Sequence, residues 1–220
     1  MDDQVIAAIS RWPDVPGVFG WLSLSAQGHW RLHPHGDAWD AQNENSATTR
    51  TELSPGETIG NARILSFINR NYAGDTQGRW YFQNGPQRVF VRLDVAPFIL
   101  HLSGPGLVLQ THTGLAAEHI AAWWLDDEGK LYARTEHGPG LIAGRDTMAV
   151  FEALHTIQGQ PLLDLLESGT PAGKIMLASS RANRRADAVP APLKRCKASE
   201  VCSALAFVRF PRPDSHTNAP

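Results

Sequence analysis

The fold is indicated most clearly by the stretch Gly78-Arg-Trp-Tyr-Phe-Gln-Asn-Gly-Pro-Gln-Arg-Val-Phe-Val-Arg-Leu93. Apolar side chains recur at Val89, Val91 and Leu93, a period of two residues that is typical of a strand with one packed face. The sequence Asn84-Gly-Pro, which precedes this strand, is typical of a turn. The stretch therefore predicts two antiparallel strands of a meander.

Helices and further hairpins surround this stretch. Residues 61–72 carry apolar side chains every four positions, which predicts a helix. Residues 19–32 contain two short apolar runs around a glycine turn, which predicts a hairpin. A short amphipathic helix is predicted over residues 4–12, because Pro13 ends its pattern. The elements predicted after the stretch are strands over residues 98–101 and 107–112.

A second, smaller cycle of elements follows. A hairpin is predicted around the turn Asp126-Asp-Glu-Gly129. A helix is predicted over residues 145–155, and we expect the side chain of Asp146 to cap its first N–H groups. The remaining predicted elements are a short helix over 162–166, isolated strands over 174–177 and 201–210, and a linker over 181–195.

A short glycine pattern occurs four times in the chain. A glycine followed by a basic residue or histidine and then a large apolar residue is found at Gly28, Gly78, Gly129 and Gly173. A glycine just before a strand supplies the positive φ that a hairpin turn needs. Two explanations stay open: duplication of a hairpin–helix module, or independent use of the same turn chemistry.

The predicted fold class is therefore α+β, with antiparallel hairpin and meander sheets backed by helices and a hairpin–helix module that is a candidate repeat. We expect an N-terminal α+β module over residues 1–113, a second, smaller module over 114–180, and a C-terminal extension over 181–220. With 220 residues the chain can bury a core without disulfide bonds. Cys196 and Cys202 are accordingly expected to be ordinary small side chains.

Two motifs carry a family resemblance. The stretches Phe67-Ile-Asn-Arg-Asn-Tyr72 and Gly78 to Val89 resemble an uncharacterised proteobacterial family, a domain of unknown function, over residues 15–165. The order of hairpin, helix and glycine-aromatic strand is more loosely similar to a second uncharacterised family of repeated α+β motifs, for which a signalling role is suggested. The resemblances imply a bacterial α+β protein with a role in signal transduction, and they bring no catalytic residue with them.

The charge of the chain is unevenly distributed. Residues 1–173 hold 11 Lys and Arg against 19 Asp and Glu, whereas residues 174–212 hold 9 against 2. The basic tail makes nucleic-acid association an alternative function, although its arginines alternate with alanine and proline and not with aromatic residues that stack on bases. The chain has no apolar run long enough to span a bilayer and begins with acidic residues, so we expect a cytoplasmic protein without membrane association.

The preferred candidate site is a surface rich in amide and guanidinium groups on the predicted helix and hairpin turn. Planar guanidinium groups suit carboxylate and phosphate ligands. If the helix and the hairpin pack together, these groups converge on an anionic small ligand or an acidic partner segment. The protein is then a binding or regulatory module that is not an enzyme and needs no cofactor. The candidate ligand-binding residues are Arg63, Asn69, Arg70, Asn84, Gln87 and Arg88.

The enzyme alternative is a metal-dependent hydrolase. His33, His35 and Asp37 begin the pattern with which two imidazoles and a carboxylate bind zinc from one loop, but Ala38 stands where a further histidine is needed. The sequence contains no G-x-S-x-G nucleophile motif and no complete phosphate-binding loop. Catalytic residues are therefore not assigned.

Overall fold

The computed structural model divides the chain into two compact units. The first comprises Met1–Val95 and Phe207–Pro220, and the second comprises Ala96–Ala206. Both units combine helices with a β-sheet, so the predicted α+β class is confirmed. The structure describes residues 1–38, 54–104, 107–168, 175–179 and 189–213.

The first unit contains a six-stranded sheet in the order β3-β2-β1-β6-β5-β4. The predicted hairpins form, but β1 and β6 pair in parallel, so the sheet is mixed rather than wholly antiparallel. The elements are α1 (Asp3–Arg11), β1 (Val18–Leu24), β2 (Trp30–Leu32), β3 (Glu57–Thr58), α2 (Ala62–Arg70), β4 (Tyr72–Gly74), β5 (Trp80–Asn84) and β6 (Gln87–Leu93).

The helix α2 lies where the apolar period predicts it. Asn61 caps its N-terminus, because the side-chain oxygen accepts hydrogen bonds from the backbone N–H groups of Arg63 and Ile64 at 2.9 and 3.2 Å. The ring of Phe67 then meets the ring of Phe82 on β5 edge to face, with 5.4 Å between centroids. This contact places α2 on one face of the sheet.

The second unit contains a nine-stranded sheet in the order β13-β14-β15-β10-β11-β12-β7-β8-β9. Parallel pairs join β10 to β15 and β12 to β7, and the other pairs are antiparallel. The elements are β7 (Phe98–Leu102), β8 (Leu109–Thr111), β9 (Ala116–Ala117), β10 (Ile120–Asp126), β11 (Leu131–Thr135), β12 (Gly138–Ile142), α3 (Thr147–Ala153), β13 (Leu154–Thr156), α4 (Leu162–Glu167), β14 (Ile175–Ser179), β15 (Ala191–Cys196) and α5 (Val201–Leu205).

Three of the four predicted glycine turns share one geometry. In each, the glycine N–H donates to the carbonyl three residues earlier, and φ is 84° at Gly28, 77° at Gly78 and 80° at Gly129. Gly114 and Gly159 form the same turn without the basic and apolar residues of the pattern. The pattern therefore marks a turn type, and duplication of a module stays a prediction; Gly173 lies outside the described residues.

The glycine-rich segment Gly138–Ile142 forms the strand β12. Gly140 pairs with Phe98 and Ala133, and a Cβ at Gly140 would lie 2.7 Å from Cγ of Leu100. The missing side chain lets Leu100 pack over the strand. Glycine here serves close packing in a sheet, which local turn chemistry does not reveal.

Three further expectations are corrected. Asp146 makes no cap for α3, since its Oδ2 accepts the N–H of Leu102 at 3.2 Å. The strand predicted over 201–210 is wrong, because residues 201–205 form α5. The linker predicted over 181–195 includes strand β15, which is paired on both sides, and residues 181–188 lie outside the described residues.

The predicted modules over residues 1–113, 114–180 and 181–220 stay a prediction. Expressing each segment alone tests whether it folds independently. The described part of the last segment contains β15 and α5, and both are ordered elements of the second unit.

Candidate functional site

The polar face of α2 makes internal contacts. Nε and Nη2 of Arg70 donate to the two carboxylate oxygens of Asp2 at 3.0 and 3.1 Å, and Asn69 accepts a hydrogen bond from Trp30 Nε1 at 2.8 Å. The bonds from Arg70 lower the pKa of Asp2, and those to Asp2 raise the pKa of Arg70. Arg63 is exposed in the first turn of the helix.

The predicted residues of the β5–β6 hairpin lie on opposite faces of the sheet. Asn84 pairs with Gln87 beside the turn, and Gln83 pairs with Arg88 one position further along. Because side chains alternate along a strand, Arg88 faces away from Asn84 and Gln87. Its guanidinium lies 4.8 Å from the centre of the Tyr81 ring. Asn84 and Gln87 share the face on which α2 packs.

The convergence of Arg70 and Arg88 on one hollow does not occur. Arg70 is held by Asp2, and Arg88 lies on the sheet face that α2 does not cover. Of the predicted set, only Asn84 and Gln87 are brought together. Binding of an anion by any one of the predicted residues stays a prediction.

The predicted metal set does not assemble either. His33 is fully buried, with its Nε2 2.8 Å from Ser23 Oγ and its Nδ1 3.7 Å from Asp37 Oδ1, whereas His35 is exposed. Nowhere in the described part of the chain do three His, Cys, Asp or Glu side chains form a group that could hold a metal ion. The structure therefore does not support the hydrolase alternative.

A buried polar cluster surrounds His33 in the first unit. Nη2 of Arg92 lies 3.4 Å from Ser23 Oγ and 3.1 Å from Asp94 Oδ1. Ser23, His33 and Asp37 are the residue types of a nucleophilic triad. However, Ser23 and His33 are 0% exposed, and the neighbouring Arg92 is 3% exposed. A substrate cannot reach Ser23 in this arrangement, so we assign the cluster to structure.

An open cavity of about 400 Å³ in the second unit is the strongest candidate site, and we call it the curl pocket. Its floor is formed by buried apolar side chains of strands from both edges of the nine-stranded sheet. Strands at opposite edges of a flat sheet of this width would lie roughly 40 Å apart. The sheet must therefore curl strongly for their side chains to meet. The floor residues are Leu109 and Ala117 from one edge, Trp123 from the centre, and Leu154, Leu177 and Ala191 from the other edge.

The rim of the curl pocket is acidic. Glu118, His119 and Glu136 lie there, and the carboxylate of Glu136 accepts the backbone N–H groups of Glu118 and His119 at 2.8 and 3.2 Å. Burial alone would raise the pKa of Glu136, but these hydrogen bonds outweigh it and lower the pKa. Arg134 also borders the pocket, but its Nη2 donates to the Leu205 carbonyl at 2.8 Å.

The curl pocket is not among the sites predicted from the sequence, although one part of its sequence signal is local. Glu118 and His119 stand between β9 and β10, and polar residues that interrupt apolar runs in this way mark a loop at a sheet end. The apolar floor has no comparable local signal, because its side chains come from strands far apart in the sequence. Only the curl of the sheet brings floor and rim together.

Two of the described basic residues of the C-terminal segment, Lys194 and Arg209, make internal contacts. Lys194 Nζ lies 4.7 Å from the centre of the Trp124 ring, and Arg209 Nε donates to the Leu93 carbonyl at 3.1 Å. Cys196 and Cys202 form no disulfide bond. Among the described residues, no helix is long and apolar enough to cross a membrane.

Comparison with solved structures finds two similar proteins of the DUF1285 family. The protein from Silicibacter pomeroyi DSS-3 is 16% identical, and the match covers 88% of this chain and 95% of that protein with a TM-score of 0.49. The protein from Shewanella baltica OS155 is 14% identical over 60% of this chain and 90% of that protein, with a TM-score of 0.40. No curated protein matches the chain significantly.

A family model described as "Protein of unknown function (DUF2946)" matches residues 1–212. This match confirms the predicted resemblance to an uncharacterised family. It also extends the resemblance beyond residues 15–165, into the C-terminal segment that the sequence motifs did not cover. The chain therefore belongs to this DUF2946 family.

Proposed function

We propose that the protein is a non-enzymatic binding module that takes a small molecule with an apolar body and a cationic group into the curl pocket. The observation that carries this proposal is the combination of an apolar floor with an acidic rim in one cavity of about 400 Å³. Apolar pockets with a few polar groups at fixed positions are the usual form of small-molecule sites. Glu118 and Glu136 favour a positive charge at the mouth, in contrast to the anionic ligand that the sequence analysis preferred.

The arrangement supports binding better than catalysis. Each carboxylate oxygen of Glu136 accepts a backbone N–H group, which favours its ionised form and leaves it poorly suited to deliver a proton. A nucleophile with an adjacent base is absent from the described residues that line the pocket. A regulatory role in signal transduction and a cytoplasmic location are part of the same proposal, and they rest on the family resemblance and the sequence.

Three probes that differ only in the head group test this proposal. We expect 4-phenylbutylamine to bind the full-length protein in isothermal titration calorimetry more tightly than 4-phenylbutanol, and 5-phenylpentanoate to bind least. Replacing Glu118 with glutamine should weaken amine binding about three- to tenfold, since rim charges contribute about 1 kcal/mol. Glu152→Gln removes an exposed acid from α3 outside the pocket and is the matched control.

A pocket-blocking variant makes the test decisive. Ala121 lines the pocket and is exposed, so Ala121→Trp should fill the mouth without disturbing the core. Amine binding that survives Ala121→Trp, or tightest binding of the carboxylate probe, would refute the proposal.

A further inference from the structure

A second concave surface lies in the first unit, between α2 and strands β1 and β2. It encloses about 460 Å³, and Trp21, Leu32, Ile64 and Phe82 are among its apolar walls. Trp21 is 44% exposed, Leu32 42% and Ile64 50%. Three large apolar side chains that share one groove and keep this much exposed surface are typical of a binding site.

A distortion of β1 accompanies this exposure. The pairing of β1 with β6 shifts register between Val18 and Leu22, so the strand bulges beside Trp21. Gly20 within the bulge has φ of 82°, and a Cβ there would lie 2.2 Å from the Gly36 carbonyl oxygen. Bulges redirect side chains, and they occur often next to functional sites.

Two carboxamides lie at one end of the groove. Asn84 and Gln87 are register partners across the β5–β6 turn, which places their Cβ atoms about 5 Å apart on the same face. The Asn84 side chain makes no hydrogen bond within the described part of the chain, and Gln87 Nε2 makes only a long one of 3.4 Å to the Pro16 carbonyl. Each carboxamide can donate and accept. We refer to this surface as the carboxamide groove.

We propose that the carboxamide groove binds a short, uncharged apolar peptide segment in extended conformation, with the peptide main chain on Asn84 and Gln87. None of the residues that line the groove is charged, so a charged segment would lose its hydration without gaining a partner. A peptide group offers one N–H and one C=O, which is what a carboxamide pair can satisfy.

The dimensions of the groove set the length of the segment. The groove crosses β5, β6, β1 and β2, which is three interstrand spacings of about 4.8 Å, or roughly 14 Å. An extended chain rises about 3.3 Å per residue, so about four residues fill the groove. This inference concerns a different unit from the curl pocket and does not depend on it.

The test uses a capped tetrapeptide, Ac-Leu-Ala-Val-Leu-NH2, and its acidic counterpart, Ac-Leu-Asp-Asp-Leu-NH2, titrated into the full chain and followed by NMR chemical shifts. We expect the apolar peptide to bind and the acidic one to bind at least tenfold more weakly. Ile64→Glu should weaken binding tenfold or more, whereas Ile6→Glu, on α1 and equally exposed at 49%, should not. Asn84→Ala, at an exposed position, should weaken binding about fivefold.

Four results would overturn the proposal. The first is that Ile64→Glu and Asn84→Ala both bind the apolar peptide as tightly as the wild type, and the second is that the acidic peptide binds as tightly as the apolar one. The third is that the apolar peptide does not bind at a concentration of about 1 mM. The fourth is that the protein sediments as a dimer that only Ile64→Glu dissociates. The last result would identify a second copy of the chain as the occupant. Circular dichroism of each variant shows whether it is folded. If Ile64→Glu is unfolded, the binding affinity of Asn84→Ala still tests the proposal.

Discussion

At the scale of single residues, Arg92 has the most consequential contacts in the first unit. Its Nη1 donates to the carbonyls of Ala38 and Ser54, with 3.0 Å to Ser54. Burial lowers the pKa of Arg92, although Asp94 beside it acts in the opposite direction. A buried guanidinium must be paired to be tolerated, and Asp94 and these two carbonyls provide that pairing.

The neighbouring His33 makes the stability of the first unit depend on pH. Burial lowers the pKa of its imidazole, Arg92 and Arg31 lower it further, and Asp37 and Asp94 oppose them. The unfolded chain therefore binds a proton more readily than the folded one, so the stabilisation is complete above about pH 6.5 and is lost as the pH falls below it.

We expect the free energy of unfolding to fall below pH 6.5 by at most about 1.4 kcal/mol per pH unit on account of this one group. Urea denaturation of the wild type and of His33→Asn between pH 7.5 and 5 measures it. The difference between the two proteins should shrink as the pH falls, and a constant difference would contradict the assignment.

At the scale of elements, one turn recurs between antiparallel segments in both units. The side-chain oxygen of its first residue accepts a hydrogen bond from the backbone N–H four residues later. Asp126 accepts from the N–H of Lys130 at 2.7 Å, and Asp75 accepts from the N–H of Arg79 at 2.9 Å. The same bond occurs for Ser25, Thr111 and Thr156. Glycine at the fourth position supplies the positive φ, so side chain and backbone specify the hairpin together.

Gly129→Ala tests this turn, with Gly144→Ala as its control. Both glycines have open space where a Cβ would be added, but only Gly129 has a positive φ, of 80°. A left-handed alanine costs about 1–2 kcal/mol, whereas Gly144 lies in a short 3-10 helix that accepts alanine. Chemical denaturation should show Gly129→Ala less stable by about 1 kcal/mol and Gly144→Ala unchanged or slightly more stable; equal effects would show that φ is not the cause.

At the scale of the whole molecule, the end of the chain belongs to the first unit although the second unit precedes it in sequence. Val208 N donates to the Gly78 carbonyl at 2.8 Å, and Leu93 N donates to the Arg209 carbonyl at 2.9 Å. Phe207, next to them, is 4% exposed. The last described residues are therefore part of the fold of the first unit, which their basic composition does not reveal.

Truncation measures this contribution. A chain ending at residue 206 loses these hydrogen bonds and leaves buried backbone groups of Leu93 unpaired, at about 1–3 kcal/mol for each group. We expect its melting temperature to fall by about 6–12 °C. A chain ending at residue 213 keeps every one of these bonds and is the control. Equal melting temperatures of the two truncated chains would contradict the role of residues 207–213.

Individual residues show how far prediction from the sequence reaches in this protein. Pro13 follows α1 as predicted, because a proline restricts the backbone within a few residues. The Asn61 cap of α2 is not among the predicted features, and the cap predicted at Asp146 does not form. Val201 begins a helix and not a strand, because a short apolar run fits both periods. Of the predicted ligand-binding residues, Asn84 and Gln87 meet because a two-residue turn fixes their register.

The α+β class, the hairpins and the helix positions follow from local sequence, because the hydrophobic period and the turn glycines depend only on residues that are close together in the chain. Tertiary structure alone decided the parallel pairs, the strand at Gly140, the burial of His33 and the curl that joins Leu109 to Ala191 in one pocket. These features depend on the free energy of contacts between segments that are far apart in sequence. Such contacts form only in the folded structure, so local sequence does not reveal them.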